Sequence, residues 1–194
     1  MTTLMKIEKY FKLKPSSIGD PDIHLGSKLK YTRANNGVWC WTLSPSKYVQ
    51  EACKNCETFL KNNFDGKYSL PKMAPNTFVG GYRPETDMTD TLDPDRASYY
   101  QTMIGVMRWM VEIGRIDIST ECSLLSSHLA YPLKEHFKCA LHMMGYLKWK
   151  HNSPLFFNPT YPVIEFDTFN DGTEWKRFYG DVNEAIPPNI ETKA

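Results

Sequence analysis

The side chains of this sequence that could do chemistry fall into small, incomplete groups. Cys53-x-x-Cys56 has the spacing of half a zinc site or of a redox pair. A zinc site needs a second ligand pair, and the five histidines complete none. Both cysteines also fall on the apolar stripe of a predicted helix, where a free thiol acts as a small buried hydrophobe. Core packing is the favoured reading. His128, His136 and His142 are spaced by eight and six residues. One helix face presents two ligands at a spacing of four, so surface or capping roles suit them better. Asp20 and Asp22 flank a proline, and Asp87, Asp90, Asp93 and Asp95 form a loose acidic run. Carboxylates in such runs can hold magnesium. Asp93 and Asp95 stand at a predicted helix start, where negative charge is favoured, so capping and solvation are expected instead. The sequence contains no Walker loop, no nucleophile elbow and no dinucleotide fingerprint. It therefore predicts no catalytic residues and no metal ligands, and an autonomous enzyme is not supported.

The cations are better organised. Lys28 and Lys30 share one face of an alternating segment, and Lys47, Lys54 and Lys61 recur every seven residues along a predicted helix. The net charge of +1 hides a division. Residues 1–81 hold 12 Lys and Arg against 6 Asp and Glu; the remainder holds 11 against 16. The basic part suits phosphate. A solvated lysine-rich surface is the plainer alternative.

These residues need elements to position them. A length of 194 residues allows one domain with a core, or two small ones. Hydrophobic residues at 41% and aromatics at 13% argue against disorder. No apolar run is long enough for a membrane span, and the N-terminus lacks the features of a secretory signal. The five cysteines, odd in number, fit reduced thiols. An intracellular protein is expected.

YFKLK (Tyr10 to Lys14) alternates like a half-buried strand, and PSSIGDP reads as a turn. Ile23 to Tyr31 alternates again, with Ile23, Leu25, Ser27, Leu29 and Tyr31 on one face. Asn35-Asn36-Gly37 is a hairpin signal, and VWCWTL is the return strand. Ser44-Pro45 predicts a helix start, with Val49, Ala52, Cys53, Cys56, Phe59 and Leu60 facing inward. The Pro-, Gly- and Asp-rich stretch to Leu92 reads as a surface connector with one short strand around Phe78. Asp93-Pro94 opens a helix with Tyr100, Met103, Ile104, Met107, Met110 and Val111 inward, ended by Gly114. Asp117 opens the next, with Ile118, Cys122, Leu125 and Leu129 inward. Pro132 opens a third, with Phe137, Ala140, Leu141, Met144 and Leu147 inward. The fold class is α+β: an N-terminal β-hairpin plus helix, a three-helix bundle and an irregular C-terminal tail. The expected divisions are 1–62, a linker at 63–92, a bundle at 93–150 and a tail at 151–194. LFFNPTYPVIEFDTF in that tail carries one or two short strand patterns.

YYQTMIGVMRWM, followed by GRIDIS, SSHLAYPLKEHFKCALHMMGYLKWK and LFF, resembles the post-palm region of copia-type retrotransposon reverse transcriptases. The residues that carry the resemblance are Tyr100, Met103, Ile104 and Gly105; Arg115, Asp117 and Ile118; Leu125 and Ser126; and Pro132, His136, Ala140, Tyr146, Leu147 and Lys148. IHLG (Ile23 to Gly26) is similar to the strand after the catalytic palm, and WTLSPSKYVQEA to the entry into the first thumb helix. Ile116 stands where that family has proline, which would let the hinge continue as helix, and Pro45 replaces its glutamine.

The resemblance implies a fragment of an RNA-directed DNA polymerase covering the primer-grip hairpin, thumb and connection toward an RNase H domain. The polymerase and RNase H carboxylates, and the magnesium they bind, would belong to the intact parent; no cofactor is expected in this fragment. His24, Leu25 and Gly26 would form the grip, with Gly26 permitting close backbone approach. Lys28 and Lys30 would meet phosphate, and Lys47, Lys54 and Lys61 would line the thumb track. The partner would be an RNA–DNA hybrid or primer–template, held without sequence preference. Val38, Trp39 and Trp41 would be exposed without the palm. The alternative is a helical protein-interaction module with no nucleic-acid function.

Overall fold

A computed structural model describes residues 10–12, 19–64 and 66–160. The chain is α+β, and its described residues form a four-stranded antiparallel sheet and four α-helices. The strands are β1 (Ile23–His24), β2 (Ser27–Arg33), β3 (Trp39–Ser44) and β4 (Leu155–Phe157), in spatial order β1-β2-β3-β4. The helices are α1 (Ser46–Asn63), α2 (Pro94–Glu112), α3 (Ser119–Ser126) and α4 (Lys134–Trp149).

The Asn-Asn-Gly signal forms its turn. Gly37 has φ 83°, Ala34 N–H donates to Val38 O, and Arg33 pairs with Trp39 across the strands. The alternation from Ile23 to Tyr31 is not one strand. Leu25 (φ 49°) and Gly26 (φ 87°) make a two-residue turn closed by His24 opposite Ser27. Positive φ at both central positions is the tight-hairpin geometry whose twist matches the strands. The turn places Ile23 opposite Lys28, on the other face of the sheet from Ser27, Leu29 and Tyr31, so Ile23 leaves the expected series. Ser27 is buried, and its hydroxyl donates to Ile113 O at the end of α2 (2.8 Å).

Further differences follow from local chemistry. Tyr10–Lys12 form a turn and bend rather than a strand; Leu13 and Lys14, and most of the PSSIGDP turn, lie outside the described residues. Ser44 is the last residue of β3, and Pro45 takes the cap position, its carbonyl accepting from Val49 N–H. No strand forms around Phe78, which packs half-buried against the core. α3 begins at Ser119 after a 3₁₀ turn at Ile116–Ile118, so Ile116 does not extend α2. α4 begins at Lys134, two residues after Pro132. Leu155–Phe157 pairs with β3, so the tail is regular there; residues 161–194 lie outside the described residues.

The apolar stripes meet in one core. Val49, Cys53, Cys56 and Leu60 of α1 join Tyr99, Tyr100, Met103 and Met107 of α2, Cys122 and Leu125 of α3, and Phe137, Ala140 and Met144 of α4. Helix α1, grouped by sequence with the hairpin, thus shares the core of the later helices. Phe59 stacks on Tyr99 at 3.8 Å between ring centres, and Tyr100 donates to Leu125 O (2.7 Å). Asp93 caps α2 as expected, accepting from Arg96 N–H (3.0 Å).

Two polar groups are buried beneath the connections. Arg115 is 0% exposed and forms a two-pronged pair with Asp117, Nε–Oδ1 2.8 Å and Nη2–Oδ2 2.7 Å. Tyr146 donates to Asp117 Oδ2 (2.9 Å), tying the hinge to α4. His136 is buried rather than superficial. Its Nδ1 accepts from Leu133 N–H (3.1 Å), and its Nε2 lies 3.0 Å from Pro84 O. An amide can only donate and a carbonyl only accept, so the ring is the neutral tautomer with its proton on Nε2. His136 thereby caps α4 and anchors the connector.

Candidate nucleic-acid interface

The β-pleat divides the sheet into two faces. Lys28, Lys30 and Thr32 of β2 stand opposite Ser44, Thr42 and Cys40 of β3, and Phe156 of β4 stands opposite Thr42. This face opens into a groove of about 640 Å³ lined by Gly26, Lys28, Lys30, Thr42, Lys47 and Phe156, with Asp22, Ser44, Ser46, Gln50 and Asn152 around them. Pro45 joins β3 directly to α1, so the first turn of α1 forms the groove's second wall. That turn contains no acidic residue, and its free amides add partial positive charge.

The segment after α4 closes the groove. Ser46 Oγ lies 2.8 Å from His151 Nδ1, Gln50 Nε2 lies 3.1 Å from the same nitrogen, and Ser44 donates to Asn152 Oδ1 at 3.4 Å. These groups were not found by sequence reasoning. Ser46 and His151 are 105 residues apart, and no local spacing signals the contact.

The sequence-predicted residues separate into three positions. Gly26, Lys28, Lys30 and Lys47 meet in the groove. His24 and Leu25 lie beside it in the β1–β2 turn, and Leu25 is 59% exposed. Lys54 and Lys61 continue along the solvent side of α1. At about 1.5 Å per residue, Lys47 to Lys61 spans roughly 21 Å, or about six nucleotides of one duplex strand. Gly26 serves first to form the tight turn, since its φ of 87° is open to glycine at little cost. Leu25 holds a left-handed conformation without glycine's freedom, and its side chain is exposed at the tip. Strain of that kind, unrewarded by packing, points to use of the side chain.

None of Lys28, Lys30, Lys47, Lys54 and Lys61 forms an ion pair with another described residue. Comparison of the chain with protein-family models, curated proteins and solved structures gives no match. The chemistry is therefore read from the groove itself. Cations, hydroxyls, side-chain amides and a histidine around an open channel suit phosphate and sugar oxygens, and carry no base-edge code.

The cysteine pair lies elsewhere. Cys53 and Cys56 are buried, and Cys53 Sγ faces Met144 O at 3.6 Å. Burial, and then the neighbouring Cys56, push the Cys53 thiol up to about 12. Among the described residues no three His, Cys, Asp or Glu side chains gather as metal ligands. Among the same residues no helix is long and apolar enough to cross a membrane.

Proposed function

We propose that this chain is a non-catalytic fragment of a copia-type retrotransposon RNA-directed DNA polymerase that positions primer and template. In this reading β2, β3 and α1 are the palm end and first thumb helix. Helices α2, α3 and α4 form the bundle of thumb and connection, and the chain continues toward an RNase H domain. The observation that carries the reading is the groove in which Lys28, Lys30 and Lys47 converge without carboxylate partners. The Leu25-Gly26 turn beside it is the grip on the primer end. In this reading catalysis and its magnesium belong to the polymerase and RNase H domains of the parent enzyme.

The test is binding to a labelled RNA–DNA hybrid over a salt series. Each phosphate contact contributes a log–log slope of about 0.7 to 0.9, so three groove lysines give roughly 2 to 3. Affinity then falls about 40-fold between about 50 and about 200 mM salt. Lys28→Glu with Lys47→Glu lowers the slope by about 2, and Lys47→Glu with Lys54→Glu weakens binding along the thumb track. Salt-insensitive binding would sink the proposal, as would unchanged affinity of both double variants.

A second reading, a helical protein-interaction module, draws on one observation. Ala52, Cys56, Phe59, Met103, Val106 and Met144 line an apolar pocket of about 420 Å³ between α1 and α2. A stable dimer with no hybrid binding beyond that of equally charged proteins favours it.

A further inference from the structure

The second face of the sheet differs from the first. Tyr31, Trp41 and Phe157 stand opposite one another across β2, β3 and β4, and Trp39 follows Trp41 at the next position on the same face. Tyr31 stacks on Trp39 at 5.4 Å and 18°, and meets Trp41 at 5.3 Å. Tyr31 is 52%, Trp39 54% and Phe157 50% exposed. The aliphatic residues of this face, Leu29, Leu43 and Leu155, lie at its other end, where Leu43 approaches Gly114. The open end of the face thus carries Tyr31, Trp39, Trp41 and Phe157, with Arg33 beside them.

We propose that this open end is a stacking platform for the unpaired bases of a single-stranded nucleic acid. The inference rests on the reading of the chain as a nucleic-acid-binding protein and adds the single strand as its second ligand. Aromatic rings on an open four-stranded antiparallel sheet hold single strands by stacking on each base in turn. Charge complementarity selects the same ligand. The aromatic face carries the cation Arg33 and none of its strand residues is a carboxylate. Arg33 stands opposite Trp39 on the aromatic face. Its Nε donates to Gly37 O (2.7 Å), which fixes the guanidinium at the margin of the rings. A single strand lying there meets rings under its bases and a cation beside its phosphates.

The experiment titrates the full chain with three labelled probes: oligo-deoxythymidine, an abasic phosphodiester of the same length, and a blunt RNA–DNA hybrid. Oligo-deoxythymidine binds about tenfold more tightly than the abasic strand, because stacking adds to the shared phosphate term. It also quenches tryptophan fluorescence. Trp39→Ala removes about tenfold of that affinity, Trp39→Phe retains most of it, and neither changes hybrid binding. Equal affinity for thymidine and abasic strands overturns the platform while hybrid binding leaves the groove intact. Loss of all binding, hybrid included, overturns both readings. Dimerisation abolished by Trp39→Ala overturns the platform in favour of contact between copies of this chain.

Discussion

Two helix glycines should respond with opposite sign to the same substitution. Gly105 lies exposed in α2, and an added Cβ there meets nothing within 4 Å. Gly145 is buried in α4, where an added Cβ would lie 2.6 Å from Pro71 Cδ, closer still to Pro71 Cγ, and 3.1 Å from Pro71 O. Alanine gains about 1 kcal/mol over glycine in a helix interior. At Gly105 that gain stands alone and raises the melting temperature by about 2 to 4 °C. At Gly145 carbon atoms would sit about 1 Å inside their preferred separation. A proline ring cannot rotate aside, so the connector must move. Overpacking of this kind costs about 3 kcal/mol at the upper end of its range. The net loss is roughly 2 kcal/mol, or about 4 to 8 °C. Thermal and urea denaturation followed by circular dichroism read both values. Pro71→Ala combined with Gly145→Ala recovers most of the loss, because the ring is the obstacle. Equal stabilisation by the two alanines would refute the crossing of the connector over α4 at this point.

Asp117→Asn leaves the buried Arg115 charge underpaired and costs about 3 kcal/mol in urea unfolding. Burial alone would raise the Asp117 carboxyl, but the hydrogen bonds and charge of Arg115, with the Tyr146 hydroxyl, hold it below its ordinary value. Its contribution is complete above about pH 4 and is lost as pH falls through the depressed native value. Acid unfolding of Asp117→Asn should therefore lack this component, and an unchanged pH profile counts against the pair. Leu25→Asn removes left-handed strain and stabilises the fold by about 0.5 to 1 kcal/mol, while hybrid affinity falls. A variant that gains stability and keeps full affinity shows that the Leu25 side chain is not used. The cysteines Cys40, Cys53, Cys56, Cys122 and Cys139 are buried, and burial raises the Cys139 thiol to about 12 as well. A thiol reagent should label the folded chain slowly and all five sites after denaturation. Rapid native labelling of Cys53 or Cys56 would restore a redox reading.

The helices were legible because their signals are local. Asp93 before Pro94 supplies a cap and a fixed φ, and the 3.6-residue stripes of α1, α2 and α4 place most of the helical core, though Tyr99, Cys139 and Met143 are buried outside the expected stripes. The sheet was only partly legible. Asn36-Gly37 announces its turn, whereas Leu25-Gly26 conceals one, because leucine is not a usual occupant of positive φ and the surrounding alternation reads as unbroken. Three residues are too few for β4 to show a period, and its pairing with β3 is set by chain more than 100 residues away. Arg115 and His136 carry no sequence mark of burial. The useful trace was the Arg-x-Asp spacing, which two-pronged pairing explains after the fact. Of the groove, sequence gave the lysines by periodicity. The hydroxyl, amide and imidazole groups that meet them were illegible, since tertiary contact alone brings His151 to Ser46.

Counting charges could not separate a solvated lysine surface from a phosphate-binding one, but the pattern of pairing can. In and around the later helices, Lys134 pairs with Asp90, Lys148 with Glu57, Lys138 with Glu135 and Arg96 with Asp93. Exposed pairs of this kind add little stability. Their effect is on the field, since a phosphate approaching Lys134 also meets the Asp90 carboxylate. The groove and thumb-track lysines make no ion pair with another described residue, although Asp22 lines the groove and Glu51 and Glu57 share α1, so more of their field reaches solvent, screened over about 10 Å at 0.1 M salt. Charge removal should therefore act unequally. Lys134→Gln with Lys138→Gln removes as much formal charge as Lys28→Gln with Lys47→Gln, yet only the second pair should lower hybrid affinity and flatten its salt slope. Equal losses from the two pairs would mean that binding follows net charge alone, and the groove would then be a solvated surface.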